Sequence, residues 1–449
     1  MRRSPLRKGF QGAKRMEHTA KGLRKKLLSL IKKLGKTPEV YASMPGKDFT
    51  RRRALGFENI ILLLLTMGSE SVGKNLMEVF HFQEKTPSAP AFVQQRKKLL
   101  PEALETLFHG FTSQLHPEKK YRGYRLLAVD GSSLKSAAYP QDPLSYLPGT
   151  DRQHGWNKHH INALFDLENG IYTDIFVQKE HEKNENKALR EMAGRSAISE
   201  PVIVLADRNY SSLNNLAHLE NRGWNYVIRL KERDSVFGVQ LPDSPVFDVP
   251  VTLTLGRLSK RQLEKTGASI PENYCHITSQ RTFDFLPVGS TEFHTLRFRI
   301  VRVEISGGNT ETLITNLDPQ KFPPYALKAL YAKRWGIETS FRSLKYTVGL
   351  IHLHSKIPML ILQEIFAAFL IYNFTQAVSW GVEMPQKSQK KQRLNFSDAV
   401  FACCRFLRRS VKNLEALLRR KRFPVRLGRA FPRHSSSGNR ISCFYLSSR

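Results

Sequence analysis

The sequence predicts an α/β protein, with a mixed-sheet core interrupted by a β-rich insertion and helical regions at both ends. Three observations predict it. Between residues 121 and 233, short apolar runs of strand character alternate with helical patterns. From 234 to 315, β-type runs such as "FHTLRFRIVRVEI" are broken by Pro, Gly and Ser. On either side, in 56–120 and from 316 onward, apolar residues recur at helical spacing.

Residues 1–55 are polar and basic and read as an arm. In 56–120, "TPSAPAFVQQRKKLLPEALETLF" offers Ser88 as an N-cap, with Phe92, Leu99, Leu100, Leu104 and Leu107 at roughly helical spacing. Arg96, Lys97 and Lys98 would then be exposed. The texture changes at Tyr124. "YRLLAVD" (124–130) is a strand ending in an acid, and "INALFDLENGIYTDIFV" (161–177) reads as two strands joined at Glu168-Asn169-Gly170. A helix over 184–195 leads into "PVIVLAD" (201–207), a second apolar strand ending in an acid. A helix over 211–223 and a strand over 224–231 follow. Three antiparallel strands, then parallel additions through helical crossovers, match a ribonuclease-H-like core. That core resumes over 316–380, where Pro323-Pro324 introduce a helix, and 381–449 is a basic helical region and tail.

The chain carries 71 Lys+Arg against 39 Asp+Glu, a net charge of +32, and its cations run from Arg2 to Arg449. Solubility does not require so much. A long polyanion does, and nucleic acid comes first, because each neutralised phosphate releases counterions. The arm and the 56–120 unit are the regions expected to bind DNA. Cys275, Cys403, Cys404 and Cys443 form no C-x-x-C pair, which argues against a zinc site or a disulfide framework and fits a reducing cytoplasm. "IILLLLTM" (60–67) is too short to span a bilayer, and "MLILQEIFAAFLIYNF" (359–374) is interrupted by Gln363 and Glu364. Both read as core helices, so no membrane partner is expected.

"YAKRWGIETSFRSLK" (331–345) sets four cations around one carboxylate. On a continuous α-helix, Tyr331, Arg334, Glu338 and Lys345 fall within a sector of roughly 60°. Leu330, Ile337, Phe341, Leu344 and Val348 make a neighbouring apolar stripe. Alone, this is an amphipathic helix with an i,i+4 ion pair worth a few tenths of a kcal/mol. Asp130 and Asp207 change its meaning, since each ends an apolar strand and the three acids are able to converge. Clustered carboxylates repel one another unless they share cations, and oxygen ligands suit Mg²⁺ or Mn²⁺. Two ions about 3.5–4 Å apart would activate water or a 3′-hydroxyl and stabilise the attacking and leaving oxygens at a phosphodiester.

Tyr331, Arg334, Glu338 and Lys345 reproduce a Y-(2)-R-(3)-E-(6)-K signature, joined to "AVDGSSL", "LADRNY" and "YVIRLK". In this the chain resembles bacterial DDE transposases of the insertion-sequence-4 type over roughly residues 55–380. The resemblance implies that Asp130, Asp207 and Glu338 form a catalytic triad holding two Mg²⁺ ions, with Mn²⁺ as a substitute. It implies that Tyr331, Arg334 and Lys345 grip the backbone of the transposon end. Arg208 and Arg229 are further candidates for DNA contact. Double-stranded DNA, as element ends and target, is the implied partner, engaged by a homodimer in a synaptic complex within the bacterial nucleoid. Two readings share the composition: a non-catalytic repressor derived from a transposase, and a structure-specific nuclease of the same fold.

Two departures from the family stand out. Asn209 replaces a glycine after the second Asp, a position where Asn tolerates positive φ. Relatives that form hairpins stack a flipped base on a Trp late in the insertion, where this chain offers Phe293 or Phe298 instead. Trp224 and Trp335 are expected to pack. His154, His159 and His160 are expected on a basic strand leading to the surface, and Asp166 and Asp174 on solvated strand faces.

Overall fold

A computed structural model describes residues 19–424 apart from 52, 152, 232–234, 266, 268, 306–307, 383–391, 410 and 421. The start of the basic arm and the basic tail from 425 lie outside the described residues.

Helices α1 (Ala20–Leu34), α2 (Phe57–Thr66), α3 (Val72–Val79), α4 (Ala89–Arg96) and α5 (Glu102–Ser113) come first. Ser88 caps α4 through the Ala91 N–H at 3.3 Å. The helical region expected here holds two helices after Ser88, because the chain turns between α4 and α5, where the Leu100 N–H bonds the Tyr41 carbonyl. That turn buries Arg96, which the sequence reading had exposed.

The sheet begins with β1 (Arg125–Ser136), β2 (Tyr146–Leu147), β3 (Trp156–Asp166) and β4 (Ile171–Lys179). Helix α6 (Glu185–Gly194), β5 (Val202–Ala206), α7 (Leu213–Asn221) and β6 (Asn225–Arg229) follow. The β-rich stretch supplies the hairpin β7 (Ser235–Val236) and β8 (Val239–Gln240), then β9 (Phe247–Gly256), α8 (Lys260–Lys265), β10 (Tyr274–His276), β11 (Phe293–Glu304) and β12 (Thr310–Thr315). Ten strands join one mixed sheet in the order β10-β9-β11-β12-β6-β5-β1-β3-β2, with β4 also on β3. β1, β5 and β6 pair in parallel, while β1 with β3 and β3 with β4 pair antiparallel. The mixed α/β sheet expected from the sequence is present. The β-rich stretch extends it, since β12 pairs antiparallel with β6.

Helices α9 (Pro324–Ala332) and α10 (Trp335–Arg342) carry the cation-rich segment, with a π-turn over Ser343–Val348. Then come α11 (Pro358–Val382), α12 (Phe396–Leu407) and α13 (Leu414–Arg420). The 25-residue α11 is long and apolar enough to cross a membrane by composition, yet 72% of its most apolar window is buried inside the protein. Its two interrupting polar residues are satisfied there. Arg96 reaches the Gln363 side chain at 3.0 Å, the Leu360 carbonyl at 2.6 Å and Glu364 at 2.8 Å.

Apolar side chains cluster on both sides of the sheet. One cluster joins the N-terminal helices, α10, α11 and α12 to one face of β1, β3 and β4. A second joins α6 and α7 to the other face and to β9 and β11. A third gathers Leu126, Leu205, Val301, Leu327, Leu330 and Tyr331 beneath α9.

Candidate active site

β1 and β5 pair in parallel register from Arg125↔Val202 to Ala128↔Leu205. The pairing stops two residues before Asp130 and Asp207, which lie in electrostatic reach of each other past its end. Asp130 does not end its strand, as the sequence reading had it: β1 runs on to Ser136 along β3. What ends at this level is the pairing with β5, and Asp207 follows directly on Ala206. The Asp130 Oδ1 accepts the Gly131 N–H at 2.8 Å, and the Asp207 Oδ1 accepts the Asn209 N–H at 2.8 Å. Asn209 therefore replaces glycine without strain: it lies in a short 3-10 turn and is not among the described residues with positive φ.

The third acid arrives on the helical segment, through a cation. Arg334 Nη2 donates to Glu338 Oε1 at 2.9 Å, and Nη1 stands 3.7 Å from Asp130 Oδ2. The i,i+4 pair expected from the sequence is present, but its guanidinium is nearly buried and also faces the strand acid. The helix itself is not continuous. Tyr331 and Leu330 pack in the cluster beneath α9, whereas Ile337, Phe341 and Leu344 pack in the cluster that contains α11. The chain changes cores at Lys333–Arg334, so the apolar stripe expected as one is two.

Electrostatics tie the three acids together. Burial pushes the Asp130 carboxyl up to about 6, and Glu338 and Asp207 add to the rise, against the Gly131 N–H and Arg334. Burial pushes the Tyr331 phenol up to about 12, so it remains a neutral donor. Lys345 Nζ donates to the Ser133 carbonyl at 2.9 Å, three residues past Asp130, and burial lowers its pKa. Arg334 thus stands between two of the acids, the Tyr331 ring lies 5.9 Å from its guanidinium, and Lys345 sits against β1 at Ser133. Arg229 is engaged elsewhere, 3.2 Å from Glu311, and Arg208 is exposed with no ion pair among the described residues.

Several other expectations fail. His159 and His160 are buried, because β3 is an inner strand between β1 and β4; His154 is exposed. Asp166 is fully buried against Arg125 at 2.6 Å, and Asp174 is clasped by Arg195 at 2.7 Å. Trp335 is 60% exposed, with the Arg334 guanidinium 5.0 Å from its ring centroid. Trp224 does pack. Phe298 is buried in the core, while Phe293 is exposed and edge-on to Tyr274 at 6.0 Å.

Two residues not singled out from the sequence, Tyr210 and Glu185, lie close to the acids, with His160 beside them. Tyr210 is buried near Glu185, Asp130 and Asp207, and among the described residues its hydroxyl has no partner. Glu185 Oε1 lies 3.0 Å from His160 Nε2 and 3.1 Å from Lys183 Nζ. The neighbouring imidazole holds this carboxyl down at about 2, against its own partial burial. Their spacing in sequence carries no periodic signal that would have joined them.

The donor set fits a hard divalent cation in chemistry, being carboxylate oxygens with an unpartnered phenol beside them. In the present arrangement, among the described residues, no three or more His, Cys, Asp or Glu side chains surround one point. Arg334 supplies the positive charge between Asp130 and Glu338.

The Escherichia coli (strain K12) transposase InsG for insertion sequence element IS4 is 22% identical over 416 residues, spanning 86% of this chain and 87% of that protein. A piggyBac transposase, solved by cryo-EM in a synaptic complex with hairpin DNA, aligns with 90% of this chain and 84% of its own at 10% identity and a TM-score of 0.43. A family model described as the transposase DDE domain matches residues 121–374, more than half of the 449, and the chain belongs to that family.

Proposed function

We propose that the chain binds the terminal inverted repeats of its insertion sequence, cleaves the ends and joins the 3′-hydroxyl to target DNA, on a ribonuclease-H-like core. The observation that supports this reading is the meeting of Asp130 and Glu338 around one guanidinium, with Asp207 in electrostatic reach of Asp130. Asp130, Asp207 and Glu338 would hold divalent ions, Mg²⁺ or Mn²⁺, two per site. Bound there, the ions supply Lewis acidity at the scissile phosphate. Arg334 is the group able to exchange partners, leaving the carboxylates for a phosphate that it can grip bidentately. Tyr331 offers a neutral phenolic donor and Lys345 a point charge for the flanking backbone. Arg208, exposed next to Asp207, would meet the strand beyond. Arg229 would have to leave Glu311 to do the same. Two copies would pair two ends in a synaptic complex.

The test incubates purified protein and Mg²⁺ with duplexes carrying the element's native ends, and resolves nicked, hairpin and joined products on a denaturing gel. Glu338→Gln is expected to abolish all products while end binding in a gel-shift assay stays within about threefold. Cleavage by that variant at the wild-type rate would overturn the proposal.

A further inference from the structure

The β1–β5 ladder stops two residues short of Asp130, so sheet pairing between these strands does not hold the two strand acids at a fixed separation. A metal site needs them fixed to a fraction of an ångström. The β1–β3 and β5–β6 ladders hold each backbone separately, and a chain of polar side chains from the first turn of α6 links the two corners.

One arm leads to Asp130. The Glu185 Oε1 lies 3.0 Å from the His160 Nε2 without the alignment of a hydrogen bond, and His160 is 2% exposed. Together they lie against Gly131: a Cβ there would come within 2.7 Å of the imidazole Cε1 and 3.0 Å of Glu185 Oε1. Gly131 in turn supplies the N–H that orients Asp130. The other arm leads to Asp207. Asn186 Oδ1 accepts the Asn215 Nδ2 at 2.7 Å, and the same amide donates to the Tyr210 carbonyl at 3.0 Å, in the turn that Asp207 caps. Asn215 is fully buried, and Arg190 Nη1 reaches its oxygen at 3.3 Å. Two successive residues of one helix, Glu185 and Asn186, are therefore linked through Gly131 and through Asn215 to the backbone beside the two carboxylates.

We propose that the first turn of α6 is a brace that sets the separation of Asp130 and Asp207, with His160 and Asn215 as positioning residues, and so sets the affinity of the site for divalent cations. The inference rests on the metal-dependent reading above. Partners of this kind that act through a ligand typically change metal affinity 10–100-fold when removed.

The experiment titrates Mn²⁺ into the full chain bound to an end duplex, reading free Mn²⁺ by electron paramagnetic resonance, and repeats single-turnover cleavage across the same concentrations. His160→Phe, Glu185→Gln and Asn186→Ala are expected to weaken Mn²⁺ binding about tenfold and to move the cleavage curve to higher Mn²⁺, with end-DNA affinity unchanged. His160→Gln, which keeps a polar side chain beside Glu185 and Gly131, is expected to retain most of the affinity. Should His160→Phe fail to fold, the partly exposed Glu185 and Asn186 carry the test. Wild-type Mn²⁺ affinity in the Glu185→Gln and Asn186→Ala variants would overturn the brace and leave the proposed function standing. Absence of Mn²⁺ binding by the wild-type complex would overturn the metal-dependent reading itself, and the brace with it.

Discussion

Burial pushes the Asp130 carboxyl from an ordinary 3.8 up to about 6, so the folded chain binds this proton more tightly than the unfolded chain does. Ionised Asp130 thus disfavours the fold. The penalty is absent below about 3.8, grows as pH rises and is complete above about 6, where it amounts to about 2–3 kcal/mol. Asp130→Asn is therefore expected to melt at a higher temperature than wild type at pH 8, with the gap closing at pH 4. Calorimetry at the two pH values checks this, and a gap that widens at low pH would contradict it. The acids were legible as residues because each sits in a distinctive local context, "AVDGSSL" or "LADRNY". His160 was not, because its burial depends on β1 and β4 flanking β3, and a polar strand looks solvated until its neighbours are known.

The segment from Pro324 to Val348 keeps helical spacing throughout, and the sequence accordingly read it as one helix with one apolar stripe. Its division at Lys333–Arg334 was hidden. Local periodicity reports which residues avoid water, and both halves do so, in different cores. The division nonetheless serves the site, because it leaves Arg334 beside Asp130 rather than on a solvated face. Arg96 at the end of α4 teaches the same lesson, since a charged residue next to Lys97 and Lys98 gives no local sign of burial. It is fully buried against α11, with Glu364, Gln363 and the Leu360 carbonyl as partners. Arg96→Ala would strand those groups at a cost of about 3–5 kcal/mol. Denaturant unfolding is expected to show a loss of that size. A loss below about 1 kcal/mol would mean that α4 and α11 are held by apolar packing alone.

At the scale of the whole molecule, the net charge of +32 and the mixed sheet were readable from composition and pattern, whereas the joining of β12 to β6 was not. Pairing between residues far apart in sequence leaves no local signature. The charge carries its own prediction: affinity for any duplex should fall steeply with salt, by about 10³-fold or more between 50 and 200 mM if six or more phosphates are engaged. Fluorescence anisotropy over that range checks it, and a flat response would remove nucleic acid as the reason for the charge. The central claim is that Asp130, Asp207 and Glu338 act as one site. Single-turnover cleavage of an end duplex by Asp130→Asn, Asp207→Asn, Glu338→Gln and the Asp207→Asn/Glu338→Gln double variant tests it most directly, because groups that act as a unit are strongly non-additive. The expected result is that each single variant falls to background and the double variant falls no further. Cleavage at near wild-type rate in any single variant, or losses that add in the double, would contradict it.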